Sequence, residues 1–261
     1  KEYANSWEDY ENGLSDIKPN VDLELQVLNE ILKGERFVTC HSYIQSEINM
    51  LMHVADSMGF TLNTFTHILE GYKVADKMAK HGAGGSTFSD WWAYKYEVND
   101  AIPHNAAIMS KQGVVVAINS DDAEMGRRLN QEAAKGVKYG GMSEQEAWKM
   151  VTLNPAKLLH LDDRMGSLKA GKDADVVVWS DNPLSIKAKV EYTIVDGMVL
   201  FDSKQDREMR IKNQAEKARI ISKMLSKNEA GEKTRSFKKK KNGHFHCNTI
   251  GEIESDEENQ H

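Results

Sequence analysis

Apolar runs alternate with amphipathic stretches between residues 21 and 141, and glycines stop the stretches at regular intervals. This alternation restricts the fold more than any other feature, because strand and helix in strict succession require a parallel sheet with crossover helices. Val21 to Leu32 places its apolar residues on one helical face, and Gly34 stops it. Phe37 to Cys40 reads as a buried strand ending at His41, followed by a helix from Gln45 to Met58 that Gly59 closes. Thr61 to Thr66 is rich in β-branched residues and ends at His67, and a helix from Tyr72 to Lys80 then runs to Gly82. The third unit is less regular: a weak strand, Ala83 to Phe88, enters the aromatic segment Trp91 to Tyr96. In the fourth, a helix from near Pro103 ends at Gly113, and Val114 to Ile118 is a strand buried on both faces that runs into Asn119-Ser120-Asp121-Asp122. Four strand-helix units make half of a (β/α)8 barrel.

Residues suited to metal ligation close three of these strands, namely His41, His67 and Asp121. Imidazole nitrogens and a carboxylate at neighbouring strand ends are the materials of a barrel-mounted metal site. His41 and His67 are 26 residues apart, enough for one helical crossover, and His67 and Asp121 are 54 apart, enough for two. A divalent ion held by such groups with one position open lowers the pKa of its water toward neutrality. Asp121 beside it can take the water's proton and return it to a leaving group.

After about Lys157 the pattern changes. Gly166-Ser167-Leu168 and Asp175 to Trp179 read as strands, and Val190 to Val195 and Met198 to Phe201 flank Asp196-Gly197, a hairpin signal. Gln205 to Leu225 is a charged helix, and the polar remainder, rich in lysine and then acidic, has too few core formers to fold alone.

The segments VTCHSY, TFTHILEGYKVADKMAKHGAGGSTFSDWWAYKYE, VVVAINSDDAEMGRRLNQEAAKGVKYGG and MVTLNPAKLLHLDDRMGSLKAGKDADVVVWS resemble the C-terminal half of the amidohydrolase superfamily. The likeness is closest to the imidazolonepropionase-like enzymes, including an exported bacterial group, and covers residues 22 to 202. It implies an α/β fold: the second half of a metal-dependent-hydrolase TIM (β/α)8 barrel over residues 1–160 and part of a small β-sandwich over 161–203. A charged helix over 204–228 and a disordered tail over 229–261 would follow. It further implies hydrolysis of a small molecule's carbon-nitrogen bond, whether in a cyclic amide, an N-acyl amino acid or a dipeptide. One or two Zn2+ or other divalent ions, a periplasmic or secreted location and a possible homo-oligomer belong to the same expectation. Carried over by position, His41 and His67 are the residues closing strands five and six, and Asp121 closes strand eight. All three are candidate metal ligands, with His67 and Asp121 also catalytic.

The superfamily's opening HxH motif, at the end of strand one, has no counterpart in a strand here. His244-Phe245-His246 lies in the tail with only fifteen residues after it, in the wrong order for the motif, and is read as a decoy. The missing N-terminal half of the barrel is therefore an expected partner. A non-catalytic half-barrel that pairs with a complementary chain is the alternative.

Tyr72, Lys73, Trp92, Tyr94 and His104 are candidate substrate contacts. Trp92 and Tyr94, with Trp91 and Lys95, could equally plug the top of the barrel. His53 and His81 read as surface or cap histidines, and Asp122 as a helix N-cap. A net charge of −6 and a single cationic run, Lys238 to Lys241, argue against a nucleic-acid partner. No apolar run is long enough to span a membrane. Cys40 and Cys247 are too few for a disulfide framework.

Overall fold

The structure, a computed structural model, describes residues 1–91, 95–232 and 234. It divides into two units, residues 1–200 and residues 201–261. The first opens with α1 (Glu2–Glu11) and α2 (Leu23–Leu32). Asp22 caps α2 by accepting from the N–H groups of Glu24 and Leu25. The α1 helix has no counterpart in the sequence reading; Tyr3 reaches across to Gln26, and the α1 helix buries no residue of its own.

The strand-helix alternation then follows: β1 (Val38–His41), α3 (Gln45–Met58), β2 (Leu62–Thr66), α4 (Ala75–His81), β3 (Gly84–Thr87), α5 (Asn105–Lys111) and β4 (Val116–Ile118). All four strands are parallel, in the order β1-β2-β3-β4, so sequential strands are spatial neighbours as in a barrel wall. Gly59 and Gly82 end their helices where the sequence suggested, each in the left-handed conformation.

The core lies between this sheet and its helices. Ile48, Leu62, Phe65 and Met78 are fully buried there, and burial of each such side chain contributes about 1.5–3 kcal/mol. The glycines that weaken β3 by propensity serve its packing. A Cβ at Gly84 would fall 2.2 Å from Leu158, and one at Gly85 would fall 2.7 Å from Ile68. The expected buried strand at 37–40 is half exposed, with Phe37 at 52 %, because β1 is the edge of the described sheet.

Beyond β4 come α6 (Ala123–Gly126), α7 (Leu129–Gly140), α8 (Glu144–Lys149) and α9 (Leu153–Leu158). Then β5 (Val176–Trp179), β6 (Val190–Val195) and β7 (Met198–Asp202) form a three-stranded sheet in that order. Asp196 and Gly197 turn the hairpin with both φ angles positive, as a two-residue I′ turn requires. The strand expected at Gly166-Ser167-Leu168 does not form. Gly166 has φ +83° and sits where a Cβ would meet Ala156 at 2.7 Å, and Leu168 is 82 % exposed. The second unit is the end of β7 followed by α10 (Ser203–Glu229), longer at both ends than the charge pattern implied. No helix among the described residues is long and apolar enough to cross a membrane.

One side chain ties the segments at the upper edge of the sheet. Asn105, 1 % exposed, accepts from the Tyr72 N–H at 2.8 Å and donates to Ile68 O and Thr87 Oγ1 at 2.8 and 2.9 Å. Asn105→Ala leaves these buried groups unpaired, and the expected cost is about 2–3 kcal/mol. A urea unfolding midpoint unchanged from wild type would contradict that role.

Candidate active site

The parallel register aligns the strand ends. His41 pairs with Thr66 and Thr87 with Ile118, and the Asn119 N–H continues the ladder by donating to Thr87 O at 3.0 Å. His67 therefore leaves β2 beside the end of β1, with the His41 and His67 ring centroids 4.7 Å apart. His67 and Asp121 both have positive φ, +65° and +48°. Non-glycine residues reach this region only at a cost of order 1–3 kcal/mol, and such residues cluster at functional sites. Ile68 N–H to Ser86 O and Glu70 N–H to Tyr43 O secure the turn after His67.

Among the three candidate ligands, only His67 is buried, at 3 % exposure, while His41 and Asp121 are exposed. Burial lowers the His67 pKa below the ordinary value of 6.5, with the nearby Asp121 carboxylate opposing and His41 and Lys95 reinforcing the shift. The ring is thereby kept neutral, the form a metal ligand must have. Its Nε2 is buried with no hydrogen-bond partner. An unpartnered ring nitrogen beside a second imidazole and a carboxylate suits a divalent cation. Among the described residues, however, no group of three or more His, Cys, Asp or Glu is arranged to hold one.

A line of rings flanks this nitrogen. Lys95 Nζ lies 3.7 Å from the centroid of the Tyr43 ring, Tyr43 stacks with His67, His67 with Phe88, and Phe88 with Trp91. Trp91 Nε1 then donates to Met125 Sδ at 2.6 Å. The line thus touches the segments that follow all four strands. Beside it, Ser89 donates to the buried Glu132, and Lys135 Nζ donates to Asp90 at 2.8 Å and Glu132 at 2.9 Å. Burial alone would lower Lys135, but these bonds hold its pKa above the ordinary lysine value. The sequence reading missed this network, whose only linear trace is the i, i+3 spacing of Glu132 and Lys135 on α7.

The other candidates take different places. The Tyr72 hydroxyl donates to Asp100 O, and Lys73 pairs with Asp100 and Glu70, so both join the β2 loop to the loop before α5. His104 is exposed at the start of α5. Trp92 and Tyr94 lie outside the described residues, as does His244-Phe245-His246. Asp122 is the N-cap of α6, accepting from Glu124 and Met125. His81, read as a surface or cap histidine, has its side chain buried, accepting from Leu62 N–H at Nε2 and pairing with Asp56 at Nδ1.

The model of the amidohydrolase family matches residues 50–201. The chain belongs to the amidohydrolase family. Over 186 residues the chain is 30% identical to amidohydrolase tasK of Hapsidospora irregularis, a match covering 69% of the chain and 19% of that protein. It is 28% identical to the imidazolonepropionase of Thermoplasma volcanium over 51% of the chain and 33% of the enzyme. Among solved structures, an amidohydrolase from Thermotoga maritima superposes with a TM-score of 0.66 at 28% identity, covering 77% of this chain and 53% of that one. The chain thus spans about half or less of the length of these relatives. Its parallel sheet and crossover helices are those of the family's TIM-barrel fold.

The neutral state of His67 makes stability depend on pH. Between its lowered pKa and 6.5 the unfolded chain binds a proton that the folded chain refuses. The contribution is complete above pH 6.5 and is lost as pH falls through the lowered value. In the metal-free chain, His67→Gln is therefore expected to lose less stability than wild type between pH 7.5 and pH 5, measured by denaturant unfolding. Parallel losses in the two proteins would show that His67 is not the group responsible.

Proposed function

We propose that the chain carries the strand-five-to-strand-eight side of a metal-dependent amidohydrolase site, acting on a carbon-nitrogen bond of a small non-peptide or dipeptide-type substrate. The observation that carries this reading is the buried, unpartnered Nε2 of His67 beside the His41 ring and the Asp121 charge, in a chain of this family. His67 would hold the ion, zinc or another divalent metal, through its unpartnered Nε2, and His41 and Asp121 would join it when a completing barrel half brings further ligands in, since the described residues alone do not set three ligands around one point. When bound, such an ion supplies Lewis acidity that makes water a competent nucleophile near neutral pH.

The residues of this chain have separable tasks. Asp121 accepts a proton from the attacking water as the new carbon-oxygen bond forms. It returns that proton to the nitrogen as the carbon-nitrogen bond breaks. The left-handed backbone at Asp121 and the capping of α6 by Asp122 fix where that carboxylate stands. His41 and His67 orient the water and the scissile carbonyl through the site they share. Phe88 and Tyr43 keep water from the faces of the His67 ring that they cover.

A second reading, a half-barrel that acts as an interaction module, draws on the two edges of the described sheet. The β1 strand alternates between half-buried and exposed residues, and unpaired strand edges invite pairing with another chain. Size-exclusion chromatography of the isolated chain tests the incompleteness that both readings assume, since a compact, soluble, metal-free monomer would count against it. For catalysis, Asp121→Asn in a protein carrying the whole barrel is expected to lose about 10²–10⁴-fold in turnover. Full turnover in that variant would exclude the acid-base role.

A further inference from the structure

The two ring nitrogens of His67 have different surroundings. Nδ1 lies 3.3 Å from the side-chain nitrogen of Asn119, whereas Nε2 is buried without a partner. Asn119 Oδ1 is buried and unpartnered as well. The Asn119 backbone is fixed by its bond to Thr87 O, so the residue stands at the end of β4 whichever way its amide faces.

That amide has two orientations of almost identical shape. With Nδ2 toward the ring, Nδ1 is the acceptor, and the neutral imidazole carries its proton on Nε2. With Oδ1 toward the ring, Nδ1–H is the donor, and Nε2 presents a lone pair. A cation on Nε2 permits only the second orientation, because the first would set two N–H groups against each other across 3.3 Å. We infer that Asn119 is a positioning residue: its amide oxygen faces Nδ1 when His67 takes up a divalent cation, fixing the tautomer and ring orientation that ligation needs. The inference rests on the metal reading of the site. Second-sphere acceptors of this kind orient a metal-binding imidazole, and their loss weakens metal affinity about 10- to 100-fold. Turning the amide also gives Oδ1 the donor it lacks.

The test is calorimetric addition of Zn2+ to the chain at fixed pH, with side-chain 15N resonances of His67 and Asn119 followed by NMR. In the wild type, zinc is expected to move Nε2 of His67 to the shift of a ligating nitrogen, leave Nδ1 as an N–H, and shift the Asn119 amide group. Asn119→Asp, which can only accept, should keep zinc affinity within a few-fold of wild type. Asn119→Leu should lose about tenfold or more and lose the single His67 tautomer. Equal zinc affinity in Asn119→Leu, or a wild-type Asn119 amide that stays still while His67 responds, would overturn the role of Asn119 and leave the metal site standing. Zinc that does not bind, or that binds without moving the His67 resonances, would overturn the metal reading itself, and the Asn119 role with it. The wild-type NMR arm decides even where the leucine variant fails to fold.

Discussion

The upper edge of the sheet depends on Asn105. Its three hydrogen bonds join the start of α5 to the segment after β2 and to the last residue of β3. Ile68 and Thr87 are neighbours in sequence of His67 and Phe88, whose rings stack at a centroid distance of 5.0 Å. The polar tie and the aromatic contact are therefore two sides of one junction. A buried amide that satisfies its partners specifies one arrangement more sharply than apolar packing would, because every alternative leaves a donor or acceptor unpaired. This junction allows an imidazole to be buried at the end of β2 with one nitrogen unused.

Burial and backbone conformation act together on that imidazole. A His in the left-handed region turns the chain away from the strand direction directly after Thr66, and Asp121 does the same three residues after Ile118. The cost of two such residues has to be met by neighbouring contacts. Ile68, Glu70 and the Asp122 cap supply them. Ligand-type side chains held by strained backbone, rather than placed on free loops, have little freedom to lose when a substrate or ion arrives.

The sequence revealed what period and punctuation encode. The strand ends at His41, Thr66 and Ile118, the glycine stops at 59 and 82, and the Asp196-Gly197 hairpin follow from local residue patterns. So does the capping role of Asp122. What it concealed depends on contacts between distant residues. Asn105 lies 33 residues from Tyr72 and 18 from Thr87, and Glu132 lies 43 from Ser89, so none of these pairs leaves a mark in a helical or strand period. Gly166 looked like the start of a strand because its left-handed conformation and its approach to Ala156 belong to the packing of α9, not to its own segment. His81 was only half legible for a related reason: its position at a helix end suggested a surface or cap histidine, and its ring accepts from the first N–H of β2, 19 residues away.

On the proposed reading of the site, its pattern of exposure marks where the rest of a barrel would meet it. His67 follows an interior strand, flanked by β1 and β3, and is buried by this chain's own residues. His41 ends one edge strand and Asp121 follows the other, and both are exposed. In a closed barrel no strand has a free edge, so strands completing the wall would stand beside β1 and β4. These are the same two positions at which candidate ligands are uncovered. The burial this chain gives His67 would then extend to His41 and Asp121 only on closure, which ties the electrostatics of the site to completion of the fold. A lower dielectric around all three groups strengthens each charge interaction among them, so the half-barrel holds the geometry of the site while the closing half would supply much of its electrostatic strength.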